Sequence, residues 1–201
     1  MPTSTYHHGN LRAALIQAAR ELLADGRDSD PSLREVARKA GVSHAAPYRH
    51  FASFEELREE VAAAVMRDLA TSIRAAAKKS GDDPEKALRA AAAAYVRYQL
   101  THPGEAKQFI ERNYADVPPD SPALAAGTDA LTALGEILHG GQQAGVFVDA
   151  EIDVLVKTCW ALVHGLHMFV TMGKLERVSP NKASQLIEPY LDLLLSGISK
   201  S

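Results

Sequence analysis

Helix starts and stops are written at regular intervals along this 201-residue chain, and they constrain its fold more than any other feature. Pro84, Pro122 and Pro180 each follow Asp or Ser, the pattern of an N-cap with proline at the first helical position. Gly26, Gly41, Gly81, Gly145 and Gly173 stand where helical patterns end, because glycine takes the left-handed conformation without a Cβ clash. Alternating β-branched runs do not occur, and the hairpin-type pair Asp25-Gly26 closes a helical pattern. Much of the 46% hydrophobic content is alanine, the best helix former. The reading is all-α. About nine helices are expected, near residues 8–25, 32–39, 43–50, 54–79, 84–101, 104–114, 122–144, 149–172 and 180–199. Pro189 should kink or split the last, and residues 115–121 read as a surface loop.

Composition removes several classes. A chain that is 46% hydrophobic and 23% charged can bury a core, so it is not a disordered segment. The single cysteine, Cys159, excludes a disulfide scaffold and any multi-cysteine metal site. His139, His164 and His167 invite a metal reading beside Cys159. His164 and His167 share a helix face, but Cys159 is offset, so these histidines are expected to be packed or to line a pocket. Nothing resembles a nucleophile elbow, a zinc-protease helix or a phosphate-cradling loop, so no catalytic residue, cofactor or metal is expected. The apolar stretch 152–172 is interrupted by Asp153, Lys157, His164 and His167, which suits a buried helix rather than a bilayer span. Residues 1–10 are polar, without the form of a leader, so a cytoplasmic protein with no membrane partner is expected.

One segment differs from the rest. Ser32 to Glu35 is a capping box, and Leu33, Val36, Ala37 and Ala40 then form one short apolar face. Gly41 ends that helix, Val42 can pack back, and Ser43 is placed to cap the next. A second box, Ser53 to Glu56, opens a long fourth helix. Two short helices around a tight corner read as a helix-turn-helix, whose second helix meets base edges in the DNA major groove. Val42, Pro47 and Phe51 would face the supporting helices, leaving His44, Ala45, Ala46, Tyr48, Arg49 and His50 outside. Arg38 and Lys39 suit either a solvated face or phosphate contacts. The expected division is a three-helix DNA-binding domain over residues 1–54 and a helical effector and dimerisation domain over 55–201.

The run LREVARKAGVSHAAPYRHFASFEEL, with YHHGNLRAALIQAARELL before it, resembles the DNA-binding domain of the TetR family of bacterial transcriptional regulators. Trp160, His164 and Gly165 stand in the spacing W-x-x-x-H-G, which resembles one branch of that family. The resemblance implies that Tyr48 and His50 hold phosphates, and that His44, Ala45, Ala46 and Arg49 read bases. Ser32, Arg34 and Ser43 would reach DNA from the same side. Phe54 departs from the pattern, since it stands where the family usually has a phosphate-directed lysine.

In the second half, Tyr95, Tyr98, Gln99, Phe109, Asn113, Trp160, His164, His167 and Met168 form a polar-aromatic set suited to a ligand pocket. The last two helices are apolar on more than one side, through Leu155, Leu162, Leu166, Leu191, Leu194, Leu195 and Ile198. The resemblance implies that these residues meet a second subunit, so that a homodimer presents two reading heads to a pseudo-palindromic operator. The function implied is a repressor released by a small-molecule effector. The alternative is a dimeric regulator without an effector, whose second domain only dimerises or docks a protein. Charge divides the same way: seven Lys and Arg against five Asp and Glu through Phe54, and fifteen against twenty beyond it. The global net charge of −3 therefore excludes only indiscriminate DNA binding.

Overall fold

The computed structural model describes residues 11–24, 30–103, 118–176 and 178–200. Seven α-helices occur among them: α1 (Leu11–Ala24), α2 (Leu33–Lys39), α3 (Phe54–Lys78), α4 (Pro84–Thr101), α5 (Pro122–Gln143), α6 (Ile152–Thr171) and α7 (Ala183–Ile198). No strand is found among the described residues, only an isolated antiparallel bridge between Phe147 and Ser199. The chain forms two compact units, residues 1–65 with 104–124, and residues 66–103 with 125–201.

The count of seven differs from the expected nine for two reasons. The expected helix at 104–114 lies outside the described residues. The expected helix at 43–50 is instead a turn followed by a short 3-10 turn, Pro47–Arg49. Pro47 supplies no N–H and its ring crowds the carbonyl four residues back, so an α-turn cannot close there. The chain winds through i→i−3 bonds there, Ala46 to Ser43 at 2.9 Å and His50 to Pro47 at 2.9 Å, before Phe51 closes an i→i−4 bond back to Pro47 at 3.0 Å.

The other punctuation mostly holds. Asp83 accepts the Lys86 N–H at 3.0 Å and caps α4, and Ser121 accepts the N–H groups of Ala123 and Leu124 to cap α5. Ser179 makes no cap bond, because a 3-10 turn, Pro180–Lys182, intervenes before α7. Gly41, Gly81, Gly145 and Gly173 all have positive φ, while Gly26 lies outside the described residues. After α2, Val42 N–H reaches Ala37 O at 2.9 Å and Gly41 N–H reaches Arg38 O at 3.2 Å, the paired bonds of a Schellman stop. Pro189 does not split α7, which is one helix, and the proline lies on its exposed side.

In the second unit α4 packs against α6 and α7. Its small face, Ala91, Ala92 and Ala93, is buried with Leu166, Ile187 and Leu191. Arg89 ties α4 to α7 through Glu188 and, at 2.7 Å, Asp192. A second cluster gathers Leu138, Phe147, Leu155, Cys159, Leu195 and Ile198. Gly141 is obligatory there, since a Cβ on it would lie 2.1 Å from the Phe147 ring. α6 is long and apolar enough by composition to cross a membrane, but Leu155, Cys159, Val163, Leu166 and Val170 are buried within the unit.

Candidate functional site

The first unit carries a corner that is apolar beneath and polar above. Both bonds of the Ser32–Glu35 capping box form, at 2.8 and 3.2 Å, and fix the start of α2. Leu33, Val36, Ala37, Pro47 and Phe51 are buried under the corner, and Val42 is half-buried. Ser32, Arg34, Ser43, His44, Ala45, Arg49 and His50 are exposed, while Ala46 is half-buried. Tyr48 is 56% exposed, which is high for a large aromatic side chain. Among the described residues Arg34, Arg38 and Arg49 have no ion pair. Lys39, by contrast, pairs with Glu21 at 3.0 Å, and the Gln17 hydrogen bond, followed by that lysine, lowers the Glu21 pKa. Arg12 sits 5.4 Å from the Phe51 ring and also binds Glu60 at 2.6 Å. The second capping box is altered: Ser53 accepts the Glu56 N–H at 3.2 Å, but Glu56 reaches back to Ala52 rather than to Ser53. Phe54 is half-buried at the first position of α3.

The second unit brings five of the nine polar-aromatic residues together. Tyr95 Oη lies 2.8 Å from Nδ1 of His164, and Gln99 Nε2 donates to the same phenol at 3.2 Å. The Trp160 indole stacks on the His164 ring with centroids 5.0 Å apart. His167, three residues beyond His164 on α6, is 5% exposed and its Nδ1 has no hydrogen-bond partner. Burial lowers both imidazole pKa values, and burial with the neighbouring His164 takes His167 down to about 4. Tyr98 makes a tilted ring contact with His102, centroids 4.4 Å apart. Met168 is half-buried, and Phe109 and Asn113 lie outside the described residues. His139 is exposed and separate, and no group of three metal-ligating side chains occurs among the described residues. Burial raises the Cys159 pKa to about 11, so the thiol is a core side chain.

Most of the leucines expected at a subunit interface face this chain's own core. Leu155, Leu166, Leu191, Leu195 and Ile198 are buried in this chain's own core, and Leu162 and Leu194 are packed against it. The core takes them because α4 and the turn after α5 already cover those faces. Trp160 is 40% exposed, and a separate uncovered stripe on α6 runs through Val154, Thr158, Ala161, half-buried Gly165 and Phe169 to Met172 at its C-cap. On α7 the uncovered residues are Pro189, Leu193 and Gly197, Leu193 being 75% exposed. Both stripes follow the helical repeat, so the same periodicity that marked the leucines also marks this opposite face.

Sequence and structure comparisons agree with this architecture. Residues 15–61 match the family described as bacterial regulatory proteins, tetR family, and residues 88–194 match the tetracyclin repressor-like C-terminal domain. The second match alone spans more than half of the chain. The chain belongs to the TetR family of bacterial regulatory proteins. It is 30% identical over 122 residues to the HTH-type transcriptional activator FasR of Mycolicibacterium smegmatis, a match spanning 60% of this chain and 55% of FasR. A Rhodococcus sp. RHA1 protein of unknown function superposes with a TM-score of 0.83 at 25% identity, covering 98% of this chain and 100% of the other. The fatty acid degradation regulator FadR of Bacillus halodurans superposes with a TM-score of 0.75 at 17% identity, over 92% of this chain and 98% of FadR.

Proposed function

We propose that the chain is a homodimeric DNA-binding repressor, released from a pseudo-palindromic operator by a small-molecule effector. The observation that carries the DNA-binding part is the corner itself. His44, Ala45, Tyr48, Arg49 and His50 are exposed together above buried Pro47 and Phe51. Arg49 and His44 are the base readers, the Ala45 and Ala46 methyls suit thymine methyls, and Tyr48 and His50 fix register on phosphates. Ser32, Ser43 and Arg34 add contacts from the start of α2 and from the corner. Residues 1–54 act as the reading head and 55–201 as the effector and dimer domain.

The dimer forms through the uncovered stripes of α6 and α7. Ala161 and Gly165 allow close helix approach, and a Cβ on Gly165 or Gly197 would meet open space within the chain. Changing Phe169→Glu together with Leu193→Glu places like charges across the two-fold axis and should weaken self-association by at least about a hundredfold. Sedimentation equilibrium checks this; an unchanged dimer would move the interface elsewhere. The effector binds beside Trp160, His164 and Tyr95, and the W-x-x-x-H-G spacing marks this branch of the family. Linkage then requires operator DNA to weaken effector binding by the factor through which effector weakens DNA binding.

Footprinting of the purified protein on DNA upstream of its own gene tests the reading. Two protected half-sites about one or two helical turns apart are expected. No complex at low salt would refute it. With few unpaired cations at the corner, the affinity should fall gently with salt, well short of the slope of a protein making about ten phosphate contacts.

A further inference from the structure

The unpartnered nitrogen of His167 carries information about the effector's chemistry. His167 is 5% exposed, and its Nδ1 is buried without a hydrogen bond among the described residues, a state that is costly and calls for a physical reason. Thr171 Oγ1 donates its only proton to the His167 carbonyl at 3.0 Å. Toward the ring, 3.4 Å away, that hydroxyl can only accept, so the imidazole proton lies on Nε2. Nδ1 is therefore a bare acceptor. Burial keeps the ring neutral, its pKa lowered to about 4.

His164 presents the complementary atom. Gln99 delivers an N–H to the Tyr95 oxygen, and we assign the phenol proton to Nδ1 of His164, 2.8 Å away. With that assignment the His164 proton lies on Nε2, and no hydrogen bond to this atom is found among the described residues. Positions three apart on a helix lie about 5–6 Å from each other at Cβ, on one face. This flank of α6 thus offers one acceptor and one donor, beside the apolar wall of Trp160, which is stacked on His164.

We propose that His167 and His164 bind a hydroxyl group, and that the effector is an uncharged, mainly apolar alcohol or phenol. Its O–H donates to Nδ1 of His167 and its oxygen accepts from Nε2 of His164. A carboxylate sets lone pairs against the bare nitrogen, an ether only accepts, and an alkane does neither. The inference rests on the effector-responsive reading above and adds the ligand class to it.

The test uses the purified full-length protein and three series of equal chain length: n-alkanols, their methyl ethers and the matching carboxylates. Binding is followed by titration calorimetry and by the fluorescence of Trp160, the one tryptophan. Alkanols should bind about tenfold more tightly than ethers or carboxylates, the equivalent of one satisfied buried acceptor. His167→Phe should reduce the alkanol preference over the ether to within about twofold. In the imidazole 15N spectrum of the ligand-free protein, Nδ1 of His167 should appear unprotonated. Ethers or carboxylates binding as tightly as alkanols to the wild-type protein would overturn the inference, with a structural water then the partner of Nδ1. A protonated Nδ1 would also overturn it. Binding by none of the three series would instead overturn the effector reading, and this inference with it.

Discussion

The corner after α2 and the polar cluster between α4 and α6 use similar residues in opposite ways. At the corner, Tyr48, Arg49, His44 and His50 face outward from an apolar base of Leu33, Val36, Pro47 and Phe51. In the cluster Tyr95, Gln99 and His167 are buried; Gln99 donates to Tyr95, and Nδ1 of His167 has no partner among the described residues. The bonds that shape the corner are local: Ser32 with Glu35, Val42 with Ala37, His50 with Pro47. The bond at the centre of the cluster joins Tyr95 to His164. A surface built by local bonds on an apolar base keeps its polar groups solvated until a partner arrives. A buried cluster cannot, so it depends on shape and on every lone pair finding a partner.

Changes that remove the corner's base should therefore cost most. Phe51→Ala deletes a fully buried ring and should destabilise the first unit by about 3–5 kcal/mol, read by urea denaturation. A loss below about 1 kcal/mol would mean the corner does not depend on that base. Next comes pH, which separates the two regions. The folded pKa of His167 is lowered to about 4, so the unfolded chain takes up its proton first as pH falls through the ordinary value of 6.5. Stability is full above 6.5 and is lost as pH falls toward 4, by about 2 kcal/mol between pH 7 and pH 5. The downward shift of His164 acts in the same direction. Urea midpoints across that range should fall in the wild-type protein and fall less in His167→Phe; identical slopes would place the proton uptake elsewhere.

Smaller effects refine the contrast. Ser32→Ala removes the α2 cap and should cost about 1 kcal/mol. Arg49→Ala removes an exposed side chain without an ion pair and should leave stability within about 0.5 kcal/mol. Thermal midpoints measured side by side would check both, and a large loss from Arg49→Ala would give that arginine a structural role.

The same locality explains what could be read from sequence. The Ser32–Glu35 box, the Gly41 stop and the burial of Phe51 were all legible, because each depends on residues within a few positions. The helix expected at 43–50 was over-read: Ser43 looked like a cap, and Pro47 blocked the α-turn that should have followed. Ser179 failed for a related reason, since a 3-10 turn can take the place of a capped first turn. The polar-aromatic residues could be named as a set, but not that Tyr95 meets His164 while Tyr98 turns to His102. On α6 and α7 the repeat identified two apolar faces without ranking them. Leu155, Leu166, Leu191, Leu195 and Ile198 went to the chain's own core, and the small residues Ala161 and Gly165 were the available signal for the other face.

If the solvent-facing corner reads DNA, Arg49 is the side chain on which base preference depends. Equilibrium binding of the wild-type chain and Arg49→Ala should be measured on one operator whose base pairs are varied singly, at fixed salt. Arg49→Ala is expected to lose about 1–3 kcal/mol of affinity and its base preference at one symmetry-related position in each half-site. Unchanged affinity and unchanged preference at every position would contradict the account.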